Sequence, residues 1–173
     1  MTLVFFDMDD TLLAGDVEAA WANYMGENGL MKEEGFKEKI RKFDEDYRRG
    51  ELDFSVYTEF LLAPIKGMTV EEVQDIVKPF CVTIVEELKD TTSKVMLEKH
   101  SLDECLITSG TLSFIVKEVA SLLGIETFFG TDPEVQEGCY TGKVSGKPNF
   151  GEEKVRKIEN WLGDRSLIET VAY

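Results

Sequence analysis

The sequence predicts an α/β fold, a Rossmann-like parallel sheet carrying an inserted all-helical cap, on three observations. A short apolar run at residues 3–6 ends abruptly in aspartates, as a strand buried on both faces would. From residue 16 to about residue 90 the apolar periodicity is helical and no strand pattern interrupts it. Beyond residue 104, strand-like and helix-like runs alternate, which implies βα units and a parallel sheet of at least four strands. The chain accordingly divides into a core of residues 1–14 and 80–173 and a helical cap of residues 15–79.

Each element has its own signal. The first strand, LVFF, is wholly apolar, with two aromatics and a β-branched residue. Asp16 can cap a helix that runs to Met25 and ends in the segment from Gly26 to Gly29. A second, charged helix runs from about Lys32 to Arg49 and stops at Gly50; a third covers residues 54–62 and stops before Pro64. Thr69 and Glu72 form a capping-box pair that opens a fourth, through Val77. A helix over residues 92–100 then leads to a strand over 104–108, a helix over 112–123 ended by Gly124, and a strand over 127–130. Residues 135–146 alternate around glycines and predict a hairpin. A helix over 151–162 and a strand over 167–172 close the sequence, the strand lying beside residues 3–6.

Composition excludes several classes of function. With 43% hydrophobic residues, the chain can bury a substantial core. Its formal net charge is −15, from 34 acidic and 19 basic residues, so a polyanionic nucleic acid would be repelled and no such partner is expected. No apolar run reaches the ~18 residues of a membrane span, and the apolar opening is too short for a signal peptide. No membrane association is expected. Cys81, Cys105 and Cys139 are odd in number, widely spaced and without a CxxC pair, which fits a cytoplasmic protein, with Cys105 a buried structural thiol.

Chemistry concentrates in DMDDT, Asp7 to Thr11, at the carboxyl end of the first strand, where ligands of open parallel sheets bind. Asp7 and Asp9 are two apart, so on extended backbone both point to one side. Two carboxylates held together repel unless a cation or a shared proton relieves them. Mg²⁺ takes one or two carboxylates plus phosphate oxygens, which suits Asp7 and Asp9 as ligands, and a carboxylate is also a competent nucleophile toward phosphorus. A solvated acidic turn would explain the same residues without chemistry. A calcium loop would explain Asp7, Asp9, Thr11 and Glu18, but Leu12 stands where that loop needs glycine, and a strand rather than a helix precedes it.

Asp-x-Asp-x-Thr after a buried strand resembles the first signature of the haloacid dehalogenase (HAD) superfamily phosphatases, and two further signatures follow in order. Ser109 with Gly110, in LITSG, resembles the second, whose hydroxyl and backbone N–H at a helix start donate to a phosphate oxygen; a plain helix cap would explain it equally well. TGKVSGKPNFGEEKVRKI resembles the phosphoserine-phosphatase-like branch, which places its phosphate-neutralising lysine at Lys154, with Lys147 as the runner-up. The resemblance spans essentially the whole chain, the helical insertion matching that branch's cap. It implies a Mg²⁺-dependent phosphomonoester hydrolase acting on a small phosphorylated metabolite. Asp7 would be the nucleophile and Asp9 the general acid and base, with Thr11 bracing the loop.

Three departures accompany the resemblance. Asp16 stands where the branch uses a glutamate to read the substrate's amine. Glu59 stands where a cap arginine grips the substrate carboxylate, so phosphoserine is disfavoured and an amino-alcohol phosphate suits Asp16 and Glu59 better, unless Glu59 is a mere surface residue. No fourth-signature acids, which complete the magnesium site, follow Val171, Ala172 and Tyr173. A truncated or catalytically impaired chain that binds phosphate compounds or a partner chain is therefore the alternative, and self-association along the last strand's edge is an expectation. Trp21 and Tyr24 could line the substrate pocket or simply pack in the core. His100, at a helix end, is given no catalytic role.

Overall fold

The structure, a computed structural model, describes residues 2–31, 34–165 and 169–173. The first half runs β1 (Thr2–Phe6), α1 (Val17–Glu27), α2 (Phe36–Arg48), α3 (Phe54–Leu62), α4 (Val70–Leu88) and α5 (Thr91–Lys99). The second half runs β2 (Glu104–Leu112), α6 (Ser113–Leu123), β3 (Thr127–Thr131), β4 (Pro133–Gln136), β5 (Cys139–Val144), α7 (Glu152–Leu162) and β6 (Glu169–Ala172). The main sheet has the order β3-β2-β1-β6, every pair parallel. The fold is the expected α/β architecture with helices inserted after the first strand. The starts expected for the second helix, Lys32, and for the last strand, Leu167, lie outside the described residues.

β1 is flanked on both sides. Val4 stands beside Cys105 of β2 and Val171 of β6, and Leu3, Val4 and Phe6 are buried. This is why LVFF needs no polar face. Its carboxyl end, where Asp7 begins, is thereby held between two neighbouring strands.

Two elements run further than their sequence signals. β2 continues from Thr108 to Leu112, with an irregular register against β3. Polarity in TSGT suggests a strand end, but Ser109 and Thr111 are buried because their hydroxyls have internal partners. Gly110 therefore lies within a strand, not at a helix start; α6 opens at Ser113 without a side-chain cap. Close packing here needs glycine at position 130, where an added Cβ would meet the Ser113 Cα at 2.7 Å and the Thr111 carbonyl at 2.8 Å.

α4 opens on the expected capping box: the Glu72 N–H donates to Thr69 Oγ1 at 3.1 Å and the Thr69 N–H to Glu72 Oε2 at 2.8 Å. It then passes through Pro79 to Leu88, so the expected cap boundary after residue 79 falls inside a continuous helix. An internal proline costs about 3 kcal/mol. Val73, Val77, Phe80, Cys81, Ile84 and Val85 bury one face of α4, partly against α6. At about 1.5–3 kcal/mol for a fully buried large apolar side chain, that face outweighs the proline.

The predicted hairpin is β4–β5, and its turn residues Glu137 (φ 51°) and Gly138 (φ 80°) both take the left-handed conformation a two-residue turn demands. It ties the helical insertion to the core. The Gly67 N–H donates to the Tyr140 carbonyl at 2.8 Å, the Tyr140 N–H to the Met68 carbonyl at 2.9 Å, and the Val70 N–H to the Gly138 carbonyl at 3.1 Å. At the other end of the insertion Phe54, opening α3, stacks on Phe150 with ring centroids 3.8 Å apart. Among the described residues no helix is long and apolar enough to cross a membrane.

Candidate active site

After β1 the chain folds into a tight loop in which the Met8 carbonyl accepts from the N–H groups of Leu12 at 3.1 Å and Leu13 at 3.0 Å, and more loosely from Thr11 at 3.4 Å. Ser93 anchors the loop from α5, donating to the Leu12 carbonyl at 2.6 Å. Asp10 is exposed and left-handed (φ 55°), a conformation aspartate tolerates better than most residues. Thr11 contributes its backbone N–H to this bracing.

Asp7 is fixed by its backbone and left open by its side chain. Its N–H donates to the Tyr173 carbonyl at 3.1 Å, and Oδ1 accepts the Met8 N–H at 2.8 Å. Oδ2 pairs with Lys154 Nζ at 2.9 Å, the Asp7 side chain being 43% exposed and that of Lys154 21%. Of the two candidate lysines, Lys154 is thus at Asp7, and Lys147 is exposed. Lys154 comes from the first turn of α7, whose opening is set by the buried Asn149: its Nδ2 donates to the Ser109 carbonyl at 2.8 Å and to Thr108 Oγ1 at 3.2 Å.

Asp9 is held the opposite way. Oδ1 accepts the Val17 N–H at 2.8 Å; Oδ2 accepts the hydroxyls of Ser109 at 3.0 Å and Thr111 at 2.9 Å. Three donors would lower its pKa, but burial outweighs them and raises it to about 6, with the charge of Asp16 adding to the rise. The Ser109 hydroxyl, expected to face phosphate, is spent on Asp9 in this arrangement, and the Thr111 N–H donates back to Ser109 Oγ at 3.1 Å.

A divalent cation fits one carboxylate better than two. Asp7 offers a half-open carboxylate at the cleft, a hard oxygen donor of the kind Mg²⁺ accepts while keeping several waters. Both carboxylate oxygens of Asp9 are committed to hydrogen bonds, so of the two expected carboxylate ligands Asp7 is the one left open. Among the described residues no group of three or more His, Cys, Asp or Glu side chains is arranged to hold a metal.

The rim carries Asp16 and, on α3, Glu59 and Tyr57. Asp16 is an exposed helix cap, its Oδ1 accepting the Ala19 N–H at 2.8 Å. Glu59 is exposed on α3 and sits two residues from Tyr57, about 200° around the helix. Tyr57 is the α3 side chain turned to the acids: burial and the charges of Glu18, Asp16 and Asp9 push its phenol pKa well up, so it stays a neutral O–H donor. The structure therefore brings Asp7, Asp9, Ser109 and Lys154 together and leaves Glu59 outside.

Thr111 and Tyr57 were not marked by any motif, Glu18 was met only as a position of the calcium loop, and Asn149 only inside the stretch that carries Lys154. Thr111 repeats the hydroxyl of Ser109 two residues on, the spacing that puts both on one face of a strand. Glu18, in the first turn of α1, is explained in sequence by the helix dipole alone. In the structure its Oε1 is shut away from solvent without a hydrogen-bond partner, and burial with the charges of Asp9 and Asp16 raises its pKa well above the carboxylate range. Trp21 is fully buried, stacked on Tyr24 at 5.7 Å and edge-on to Phe80 and Phe114, so the pair expected to line a pocket or the core packs in the core. His100 has no place here: its ring bridges Asp103 Oδ2 and the Tyr173 hydroxyl, each at 2.8 Å. The cysteines are free, and burial pushes the Cys81 thiol up to about 12.

Comparison with known proteins matches residues 4–173 to the family described as haloacid dehalogenase-like hydrolase. The chain is 31% identical over 166 residues to a histidinol-phosphatase of Neisseria meningitidis serogroup C (strain 8013), covering 94% of this chain and 75% of that protein. It is 28% identical over 162 residues to a phosphoserine phosphatase of Archaeoglobus fulgidus, covering 91% of this chain and 42% of that one. Among solved structures, a protein of unknown function from Bordetella pertussis Tohama I superposes with a TM-score of 0.86 at 27% identity, covering 99% of this chain and 81% of that chain.

Proposed function

Since the chain belongs to the haloacid dehalogenase-like hydrolase family, we propose that it is a phosphatase that hydrolyses the phosphomonoester of a small metabolite through an aspartyl-phosphate on Asp7. One observation carries the reading: an open carboxylate, Asp7, is paired at 2.9 Å with Lys154, while the neighbouring Asp9 is buried with its pKa raised to about 6. An open carboxylate paired with a lysine can serve as nucleophile, and a buried carboxyl whose pKa is raised can serve as acid. The phosphatase names of the relatives in Neisseria and Archaeoglobus agree with it.

A carboxylate oxygen of Asp7 attacks phosphorus, and the ester P–O bond breaks with its electron pair going to the leaving alkoxide. Asp9, protonated in an appreciable fraction near neutral pH, gives that alkoxide its proton. Asp9 then takes a proton from water as the water oxygen attacks the aspartyl-phosphate; the bond to Asp7 breaks, and inorganic phosphate leaves. Lys154 offsets the negative charge shared by Asp7 and the phosphoryl oxygens. Thr11, Ser109 and Gly110 border the place of those oxygens, Ser109 turning its hydroxyl from Asp9 to reach them. Mg²⁺ would be held by Asp7 and would supply the remaining positive charge.

Carboxylate-bearing esters such as phosphoserine are disfavoured. Four of the five arginines are engaged in ion pairs with Asp44, Asp46 and Glu51, Glu153 and Glu104, and the groups near Asp9 on the cap side are Asp16, Glu18 and Tyr57. Phosphate release from an aryl phosphate, with and without Mg²⁺, tests the activity. Turnover by the wild type and none by Asp7→Asn is expected; equal turnover by both would overturn the mechanism.

A further inference from the structure

The mechanism needs Asp7 aimed at phosphorus, and burial does not secure that aim on the side of β6. This strand of four residues lies at the edge of the sheet and pairs with β1 alone. Of the four, only Val171 is partly buried. A pairing so little buried opens easily. Yet the bonds at its carboxyl end bear on the nucleophile: the Tyr173 N–H donates to the Phe5 carbonyl at 3.0 Å, and the Asp7 N–H to the Tyr173 carbonyl at 3.1 Å.

The Tyr173 side chain supplies what burial does not. Its ring stacks on Phe6, the residue before Asp7, with centroids 5.4 Å apart and planes 15° apart. Its oxygen accepts from Lys99 Nζ at 2.7 Å and meets His100 Nε2 at 2.8 Å. His100 is the single histidine of the sequence and is buried, yet its ring has no part in the chemistry described above. A carboxylate only accepts, so the contact of His100 Nδ1 with Asp103 Oδ2 at 2.8 Å places a proton on Nδ1. Lys99 already donates to the phenol oxygen, so the phenol O–H turns to Nε2 as its acceptor. Tyr173 thus gives one hydrogen bond and receives another.

These partners are themselves anchored. Lys99 ends α5 and His100 caps it, the His100 N–H donating to the Met96 carbonyl at 3.2 Å. The His100 carbonyl accepts the Asp103 N–H at 3.0 Å where the chain turns toward β2. At the start of the same helix Ser93 holds the Leu12 carbonyl at 2.6 Å. One helix therefore grips the loop from both ends, beyond Asp9 through Ser93 and at Asp7 through Tyr173. We propose that Tyr173 is a positioning residue for the nucleophile: anchored by His100 and Lys99, it fixes the Asp7 backbone at the angle from which the carboxylate meets phosphorus. This rests on the phosphatase reading and adds what aims Asp7. Neither Tyr173 nor His100 touches the phosphoryl group, so their effect falls on the rate rather than on binding, a small misplacement of the attacking group being costly.

Tyr173→Phe keeps the ring on Phe6 and removes the hydroxyl. With a nitrophenyl phosphate and Mg²⁺ it should lower kcat at least ~10-fold while KM stays within about twofold. His100→Asn should do the same alone and add less than about twofold to Tyr173→Phe, because it acts through the lost hydroxyl. An unchanged kcat, a loss confined to KM, or losses that multiply would each overturn the proposal. Hydrogen exchange followed by NMR reads the anchor without turnover. In both variants the Asp7 N–H should exchange at least ~10-fold faster, while the N–H of Leu106, buried in β2, keeps its wild-type rate. Equal acceleration at the two amides means that Tyr173 serves only the fold, and an unaltered Asp7 rate means that its hydroxyl anchors nothing; either result overturns the proposal. Absence of turnover by the wild type on any ester would instead fail the phosphatase reading, while the exchange rates would still decide the anchor.

Discussion

Lys154 reaches Asp7 across 147 residues of sequence, Nζ to Oδ2 at 2.9 Å, from the first turn of α7. Lys154→Met is expected to lower kcat by about 10²–10³, the loss typical of one well-placed charge-stabilising donor. Lys147→Met, at an exposed position, should stay within about twofold on the same scale. Comparable losses in the two variants, with both folded, would mean that the lysine was misassigned.

Asp9 makes stability depend on pH in a defined window. Its folded pKa of about 6 lies above the ordinary 3.8, so between these values the folded chain keeps a proton that the unfolded chain has lost. The resulting stabilisation is complete below pH 3.8 and is lost as pH rises through 6. Above that, the buried carboxylate costs about 3 kcal/mol. In chelator, Asp9→Asn should gain on the wild type by a few kcal/mol between pH 4 and pH 8, measured by urea unfolding. It should also lower turnover by ~10² or more. A pH-independent difference in stability would contradict the burial of this charge.

Thr111 holds Asp9 down. Its hydroxyl donates to Oδ2 at 2.9 Å and stabilises the ionised form. Thr111→Val keeps the shape and removes the donor, so the Asp9 carboxyl should titrate above its wild-type midpoint when followed by carbon-detected NMR without metal. A midpoint that fell would show that Thr111 serves the protonated form.

Glu59→Arg should leave the preference between phosphoserine and aminopropyl phosphate within about twofold, because an exposed charge turned away from the cleft acts weakly through water. Competition assays with the two esters read this directly. A strong shift toward phosphoserine would place Glu59 at the substrate after all.

The alternation of strands and helices made the α/β core legible, because buried parallel strands must be apolar on both faces and LVFF is. Asp7 and Asp9 stood out as candidates by their place after LVFF and Lys154 by the resemblance of its stretch, and the pairing of Lys154 with Asp7 is what the structure adds. What stayed hidden was hidden for physical reasons. Ser109 to Thr111 look like a strand end until Asp9 supplies partners for their hydroxyls. Pro79 looks like a helix end until the buried face of α4 outweighs it. Glu18 looks like a dipole-matched surface acid, because nothing local in the sequence says that its carboxylate faces inward, and Tyr57 is one aromatic among many on its helix.

The stack of Phe54 on Phe150 has a kinetic side. Phe150 also approaches Gly110, its Cδ2 standing 4.0 Å from where a Cβ would be, so this ring touches the floor of the cleft and its roof at once. Opening the cleft must peel the two rings apart, and aromatic pairs of this kind hold by about 0.5–1.5 kcal/mol beyond their buried area. Escape of spent phosphate would then be the slow event, visible as a rapid first turnover followed by a slower steady rate. Phe54→Ala should shorten the residence time of product and flatten that initial burst while raising KM. If the burst persists undiminished, the rings are a fixed seam of the fold, and the cleft exchanges its contents by another route.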